Sequence, residues 1–280
     1  MAQKECKAKP NLPGVLFPLS TLLLVGVAFS VIALGAAPIS ATGTSGGWQQ
    51  GDLAHLTRYS LEPLIWGVNY ATWYQGSTGY VPDADLGLGC GLPTEYAHIK
   101  EGDVVVDLGS GAGNDCFVAR SLTGEHGKVI GVDFTPAMIQ KAKDNAEKLG
   151  FTNVEFVEGD IDHNPLASDT ADVVVSNCVM NLVPDKYLAY AETFRILKPG
   201  KHFSISDVVL KGQIPDELKA SAELYAGCVS GASLMDDYLQ IIEDTGFKNI
   251  DVQQERRIDI PTGLLEQVLN PEQIQSYLNE

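Results

Sequence analysis

Five cysteines carry most of the reactive potential of this chain, and three of them keep suggestive company. Cys90 lies in Leu86-Gly-Leu-Gly-Cys-Gly-Leu-Pro93, Cys178 ends Ser176-Asn-Cys178, and Cys228 lies in Tyr225-Ala-Gly-Cys-Val-Ser-Gly-Ala232. Thiolates are soft nucleophiles and soft ligands. Any one of the three alone reads as a small buried hydrophobe. Together, on loops that should border one ligand-binding edge and mostly flanked by small residues, they read as a set of sulfur donors. The absence of Cys-x-x-Cys counts against a zinc knuckle or a disulfide framework, although thiols remote in sequence can still meet in space. Cys116 reads as structural, and Cys6 has no evident role.

The second chemical feature is Val104-Val-Val-Asp-Leu-Gly-Ser-Gly-Ala-Gly-Asn-Asp115. A β-branched run ends in an acid, and small residues then lead into a helix-like segment from Cys116, the order strand, tight turn, helix. Gly109, Gly111 and Gly113 allow a ligand to approach the backbone. The spacing is G-x-G-x-G rather than the dinucleotide G-x-G-x-x-G, and an Asp precedes it. Lys128-Val-Ile-Gly-Val-Asp133 places a second acid about twenty residues on, where a ribose partner belongs. Acid before glycine suits the sulfonium cation of S-adenosylmethionine better than a pyrophosphate. A purely structural tight turn is the competing reading.

In an open α/β sheet the ligand lies beyond the carboxyl ends of the strands. Those positions are Asp107 with its glycines, Asp133, Gly159-Asp160-Ile161 and Ser176-Asn177-Cys178. Acids and one apolar side chain suit a ribose diol, an adenine amino group and an adenine face. Asp160 could instead cap its own turn. No general base stands out, and His98, His126 and His163 read as loop or surface residues.

The elements needed to position these groups are legible in outline. Strands are expected at Val104–Leu108, Val129–Val132, Val154–Glu158, Ala171–Ser176 and His202–Leu210, with a late one starting at Gly246–Ile250. Helices are expected at Pro136–Leu149, with Thr135 as N-cap and Gly150 as its stop, and at Tyr187–Leu197, Glu217–Ala226 and Met235–Glu243. Strands alternating with helices predict a doubly wound, parallel α/β sheet.

The chain has 280 residues, and its 36 acidic against 19 basic side chains give a formal charge of -17. That excess repels phosphate backbones and argues against a nucleic-acid partner. Residues 1–41 carry Lys4, Lys7 and Lys9 and then an uncharged apolar run about long enough to span a bilayer as a helix. A cleaved signal and a packed core helix are the other readings. Basic residues before the span hold the N-terminus in the cytoplasm and would send the remainder outward. A methyl donor kept inside cells favours a cytoplasmic catalytic domain with possible membrane anchoring through residues 14–37. Residues 42–80 read as an aromatic-rich linker, 81–260 as the catalytic domain and 261–280 as a C-terminal extension.

Four stretches carry a family resemblance: Asp107-Leu-Gly-Ser-Gly-Ala-Gly-Asn-Asp-Cys-Phe-Val-Ala-Arg120, Gly131-Val-Asp-Phe-Thr-Pro-Ala-Met138, Ser176-Asn-Cys-Val-Met-Asn181 and Ala226-Gly-Cys-Val-Ser-Gly231. Over about Gly79 to Ile260 the chain resembles the arsenite methyltransferases. The resemblance implies a class I, Rossmann-like methyltransferase with a mostly parallel seven-stranded sheet whose last strand pair is antiparallel. It implies that Cys90, Cys178 and Cys228 hold trivalent arsenic, with a thiol reductant as partner and arsenic detoxification as the role. It also implies S-adenosylmethionine against Asp107, Gly109, Gly111, Asp133, Thr135, Met138, Asp160, Ile161 and Asn177. The chain departs from the family before Gly79, where a cysteine-rich segment and a Tyr-Gly helix give way to the apolar run and aromatic linker. Two rival readings are methylation of a membrane-borne quinone or lipid, and a non-catalytic arsenic-binding sensor.

Overall fold

The computed structural model describes residues 29–38, 77–86, 89–212, 231–258, 265–266 and 269–278. Its strands are β1 (Phe29–Pro38), β2 (Val104–Leu108), β3 (Lys128–Asp133), β4 (Val154–Glu158), β5 (Ala171–Asn177), β6 (Leu197–Leu210) and β7 (Phe247–Ile258). Its helices are α1 (Pro93–Tyr96), α2 (Asn114–Thr123), α3 (Pro136–Lys148), α4 (Lys186–Ile196), α5 (Met235–Asp244) and α6 (Pro271–Leu278). The strands join one sheet in the order β4-β3-β2-β5-β6-β1-β7. From β4 to β6 every neighbouring pair is parallel. The chain winds outward from β2 to β4, returns to β5 on the other side of β2, and continues to β6. The reversal between β2 and β5 opens a crevice at the carboxyl ends of these strands.

Alternation along the central strands explains the layers. On β2, Val105 packs with α2 and α3 through Phe117, Ala119, Ile139 and Ala142, while Val106 and Leu108 face a second cluster with Ala189, Tyr190, Tyr238 and Ile242 of α4 and α5. On β5, Val173 and Val175 join the first cluster and Val174 the second. A strand buried on both faces needs a near-continuous apolar sequence, as Val104–Leu108 and Ala171–Val175 have.

The apolar N-terminal segment departs from expectation. Phe29–Pro38 is a strand, not part of a helix running through residue 37. It pairs antiparallel with β6 on one side and antiparallel with β7 on the other. An uninterrupted apolar run does not by itself distinguish a buried helix from a buried strand. Here Val31 and Ile32 favour extended backbone, and two partners satisfy both edges of the segment. Among the described residues no helix is long and apolar enough to cross a membrane. The antiparallel strand of the sheet is thus the first in the chain, whereas the resemblance placed the antiparallel pair last. Residues 14–28, the linker before residue 77 and the expected helix 217–226 lie outside the described residues.

Candidate active site

β2 ends at Leu108, and the chain then turns through three glycines with φ of +77°, +51° and +96° at Gly109, Gly111 and Gly113. A Cβ on Gly109 would lie 2.5 Å from Cγ2 of Val179, just past the end of β5. The turn is therefore pressed against the exit of its neighbouring strand, and only glycine combines that backbone with that approach. Backbone N–H groups of Gly109 and Ser110 donate to the Val132 carbonyl at 2.8 and 3.1 Å, tying the turn to β3.

Three carboxylates surround this turn. Asp133 accepts from the Gly111 N–H at 3.0 Å and from the Thr135 N–H at 2.8 Å, so it fixes the turn and the start of α3 together. Asp107 is buried, and burial, followed by repulsion from Asp115, raises its carboxyl well above the usual range. The Cys116 thiol donates to Asp107 at 3.2 Å, and burial beside that carboxylate pushes the thiol up as well. Cys116 is thus a poor source of thiolate, in keeping with a structural part. Ser110 Oγ and Asn114 Oδ1 are buried without a hydrogen-bond partner. Unsatisfied polar atoms are costly to bury, and here they border a turn built for close approach. Carboxylates and orphaned polar atoms together fit a polar, cationic ligand bearing hydroxyl groups.

The cysteine site lies next to it across β5. Cys90 and Cys178 are joined as a disulfide although 88 positions separate them, so the spacing argument against a disulfide does not hold for this pair. Their loops are fastened from several sides. The Cys90 N–H donates to Asn177 Oδ1 at 2.9 Å, and Asn177 Nδ2 donates back to the Gly91 carbonyl at 2.9 Å and to Asp115 at 3.2 Å. The Cys178 N–H donates to the Ser206 carbonyl at 2.7 Å. Cys178 itself has φ of +61°, a left-handed backbone that a non-glycine residue adopts at a cost. The two sulfurs and a carboxylate oxygen of Asp207 lie within 4.8 Å of one another, all in buried residues.

Asp207 is fully buried, and burial raises its carboxyl pKa to about 7. Its carboxylate accepts from the Tyr238 hydroxyl at 2.5 Å and from the Val208 N–H at 3.0 Å, and a backbone N–H of Asn181 also serves it. Tyr190 donates in turn to Tyr238 at 2.7 Å. Sequence reasoning missed Asp207, although a lone acid inside the apolar strand Phe203–Leu210 was a usable signal. It also missed Asp115 and Asn114.

The other expected positions divide. Gly109, Gly111, Asp107, Asp133 and Asn177 meet around the turn, although the Asn177 amide is engaged with the Cys90 loop and Asp115. Thr135 precedes α3 without a side-chain cap, and Met138 lies half-buried in the first turn of that helix. Asp160 is exposed, while Ile161 is buried in the core with Leu108 and Val132. His98, His126 and His163 are exposed. Cys228 lies outside the described residues.

Comparison with known proteins agrees with this fold. A family model described as a methyltransferase domain matches residues 99–246. The arsenite methyltransferase of Halobacterium salinarum is 47% identical over 169 residues, covering 60% of this chain and 43% of that protein. The human arsenite methyltransferase is 37% identical over 168 residues, covering 57% of this chain and 44% of its own. A crystal structure of an arsenic(III) S-adenosylmethionine methyltransferase from Chlamydomonas reinhardtii superposes with a TM-score of 0.55 at 35% identity, covering 62% of this chain and 61% of that one. The chain spans about half the length of the curated relatives it matches. With the family match running through β2 to α5, the chain belongs to the methyltransferase-domain family.

Proposed function

We propose that the chain methylates trivalent arsenic held by cysteine thiolates, with S-adenosylmethionine as methyl donor. The observation that carries this reading is the meeting of Cys90 and Cys178 beside the glycine turn, from loops 88 positions apart. In this reading Cys228 supplies a third sulfur. Arsenic(III) is thiophilic, and thiolates converging from separate loops hold it with a lone pair free. When bound, S-adenosylmethionine supplies an electrophilic methyl group, which that lone pair accepts as S-adenosylhomocysteine departs. Asp107, Asp115 and Asp133 would face the cationic and hydroxyl-bearing parts of the donor, Gly109 and Gly111 would admit it against the backbone, and the Ser110 and Asn114 oxygens would find partners. Thr135, Met138, Asp160, Ile161 and Asn177 complete the proposed donor contacts.

No proton leaves arsenic, so no general base is needed. Alignment then supplies the rate, and well-oriented reactants gain on the order of 7–11 kcal/mol. The disulfide between Cys90 and Cys178 must be opened first, which gives a thiol reductant its place as partner. A cytoplasmic setting follows from where the methyl donor is kept, and arsenic detoxification from the product. The arsenite methyltransferases among its relatives support the substrate. The test is incubation of the full chain with arsenite, glutathione and labelled S-adenosylmethionine, followed by arsenic speciation. Methylated arsenic from the wild type and its loss in Cys178→Ser support the reading. Turnover unchanged from wild type in both the Cys90→Ser and Cys178→Ser variants would remove the thiol site, and no labelled arsenic at all would leave a binding protein.

A further inference from the structure

A buried carboxyl group beside the pair of sulfurs proposed to bind substrate calls for an explanation, because an ionisable group inside a protein is costly to bury. Asp207 is fully buried in β6, and one of its oxygens shares a 4.8 Å cluster with the sulfurs of Cys90 and Cys178. A carboxylate has about four lone-pair positions. The Tyr238 hydroxyl, the Val208 N–H and the Asn181 N–H occupy three and hold the group rigidly. Resting on the proposed thiol site, we infer that Asp207 is the oxygen-side partner of the substrate. It accepts a hydrogen bond from the hydroxyl that remains on arsenic after two thiols have bound.

The steps balance. A thiol reductant opens the disulfide, giving two cysteine thiols and an oxidised reductant disulfide. Arsenous acid, As(OH)3, then exchanges two As–O bonds for two As–S bonds, and each thiol proton leaves with a hydroxyl as water. One hydroxyl stays on arsenic between the sulfurs and the carboxylate. Cys228 completes the sulfur set by displacing that last hydroxyl, again as water. Asp207 thus selects a hydroxylated arsenical at the loading stage and orients its lone pair before the third sulfur arrives. Tyr238, and Tyr190 behind it, act as positioning residues through the carboxylate.

Two arsenicals separate this role from a merely structural one. Arsenous acid keeps a hydroxyl after binding two thiols, whereas phenylarsine oxide keeps a phenyl group there and offers Asp207 nothing to accept. Equilibrium dialysis at about pH 8 of the reduced Cys228→Ser chain, in which that hydroxyl stays on arsenic, is expected to show Asp207→Asn weakening arsenous acid by about tenfold or more, as loss of a charge-assisted hydrogen bond should. Phenylarsine oxide should bind within about twofold of the same chain carrying Asp207. Tyr238→Phe, which keeps the carboxylate but loosens it, should show the same selectivity at about threefold. Equal weakening of both compounds, or no weakening of arsenous acid, overturns the role of Asp207. Failure of the reduced wild type to bind either compound overturns the thiol site itself.

Discussion

Replacing Asp207 with asparagine should change how the stability of the protein depends on pH. Burial raises this carboxyl from its ordinary 3.8 to about 7, against the pull of the Tyr238 hydroxyl, the Val208 N–H and the Lys186 ammonium. The folded chain therefore holds the proton over a range in which the unfolded chain has released it. Below about pH 4 both states are protonated and the group is neutral in its effect. From there to about pH 7 the folded state binds the extra proton, and stability falls by about 1.4 kcal/mol per pH unit. Between 3.8 and about 7 the loss sums to about 4 kcal/mol. Asparagine has no proton to lose, so Asp207→Asn should gain on wild type by that amount as pH rises, whatever constant offset the lost charge imposes. Urea unfolding of both oxidised proteins at steps from about pH 4 to about pH 8 measures it, since other titrating groups cancel in the difference. A difference that stays flat across that range would refute the assignment of a buried, proton-holding carboxyl.

Further outcomes follow from close contacts elsewhere. A methyl group at Gly91 would meet Ser206 Oγ at 2.0 Å and Ser206 Cβ at 3.0 Å, so Gly91→Ala should cost about 1–3 kcal/mol in urea unfolding. Adding Ser206→Ala should recover part of it, and no recovery in the double variant would show that the clash lies elsewhere. Gly109→Ala combines φ of +77° with a 2.5 Å approach to Val179 and should lower both stability and affinity for S-adenosylhomocysteine, read by thermal shift and calorimetry. Unchanged affinity in that variant would dissociate the turn from the donor site. Because β7 pairs with the sheet through β1, deletion of residues 1–38 should expose the amides of Phe247–Ile258 to rapid hydrogen exchange while β2 and β5 stay protected. Retained protection in β7 would show that β1 is dispensable.

The central strands and their turn were readable because local and global signals coincide there. Val104–Leu108 is apolar on both faces apart from Asp107, as a strand between two helical layers must largely be, and the glycines after it stand where a positive φ is needed. Asp133 was readable for the same reason, lying in register at the end of the next strand. Phe29–Pro38 reads as helix from sequence because an apolar run with no charged residue carries no clear period, and its pairing with β6 and β7 is set by residues more than 170 positions away. The meeting of Cys90 with Cys178 was anticipated as a shared pocket, but a covalent pairing across 88 positions is a property of tertiary structure that spacing rules do not reach. Asp207 was overlooked because a single acid in a strand looks like an exposed position until its neighbours across the sheet and on α5 are known.

The most direct test of the account is arsenic X-ray absorption of the reduced chain loaded with one equivalent of arsenite. Arsenic bound mainly by sulfur, with a sulfur lost from its shell in Cys90→Ser and again in Cys178→Ser, is the predicted result. An oxygen-only shell in the wild type, or a sulfur shell unchanged by both substitutions, would contradict it.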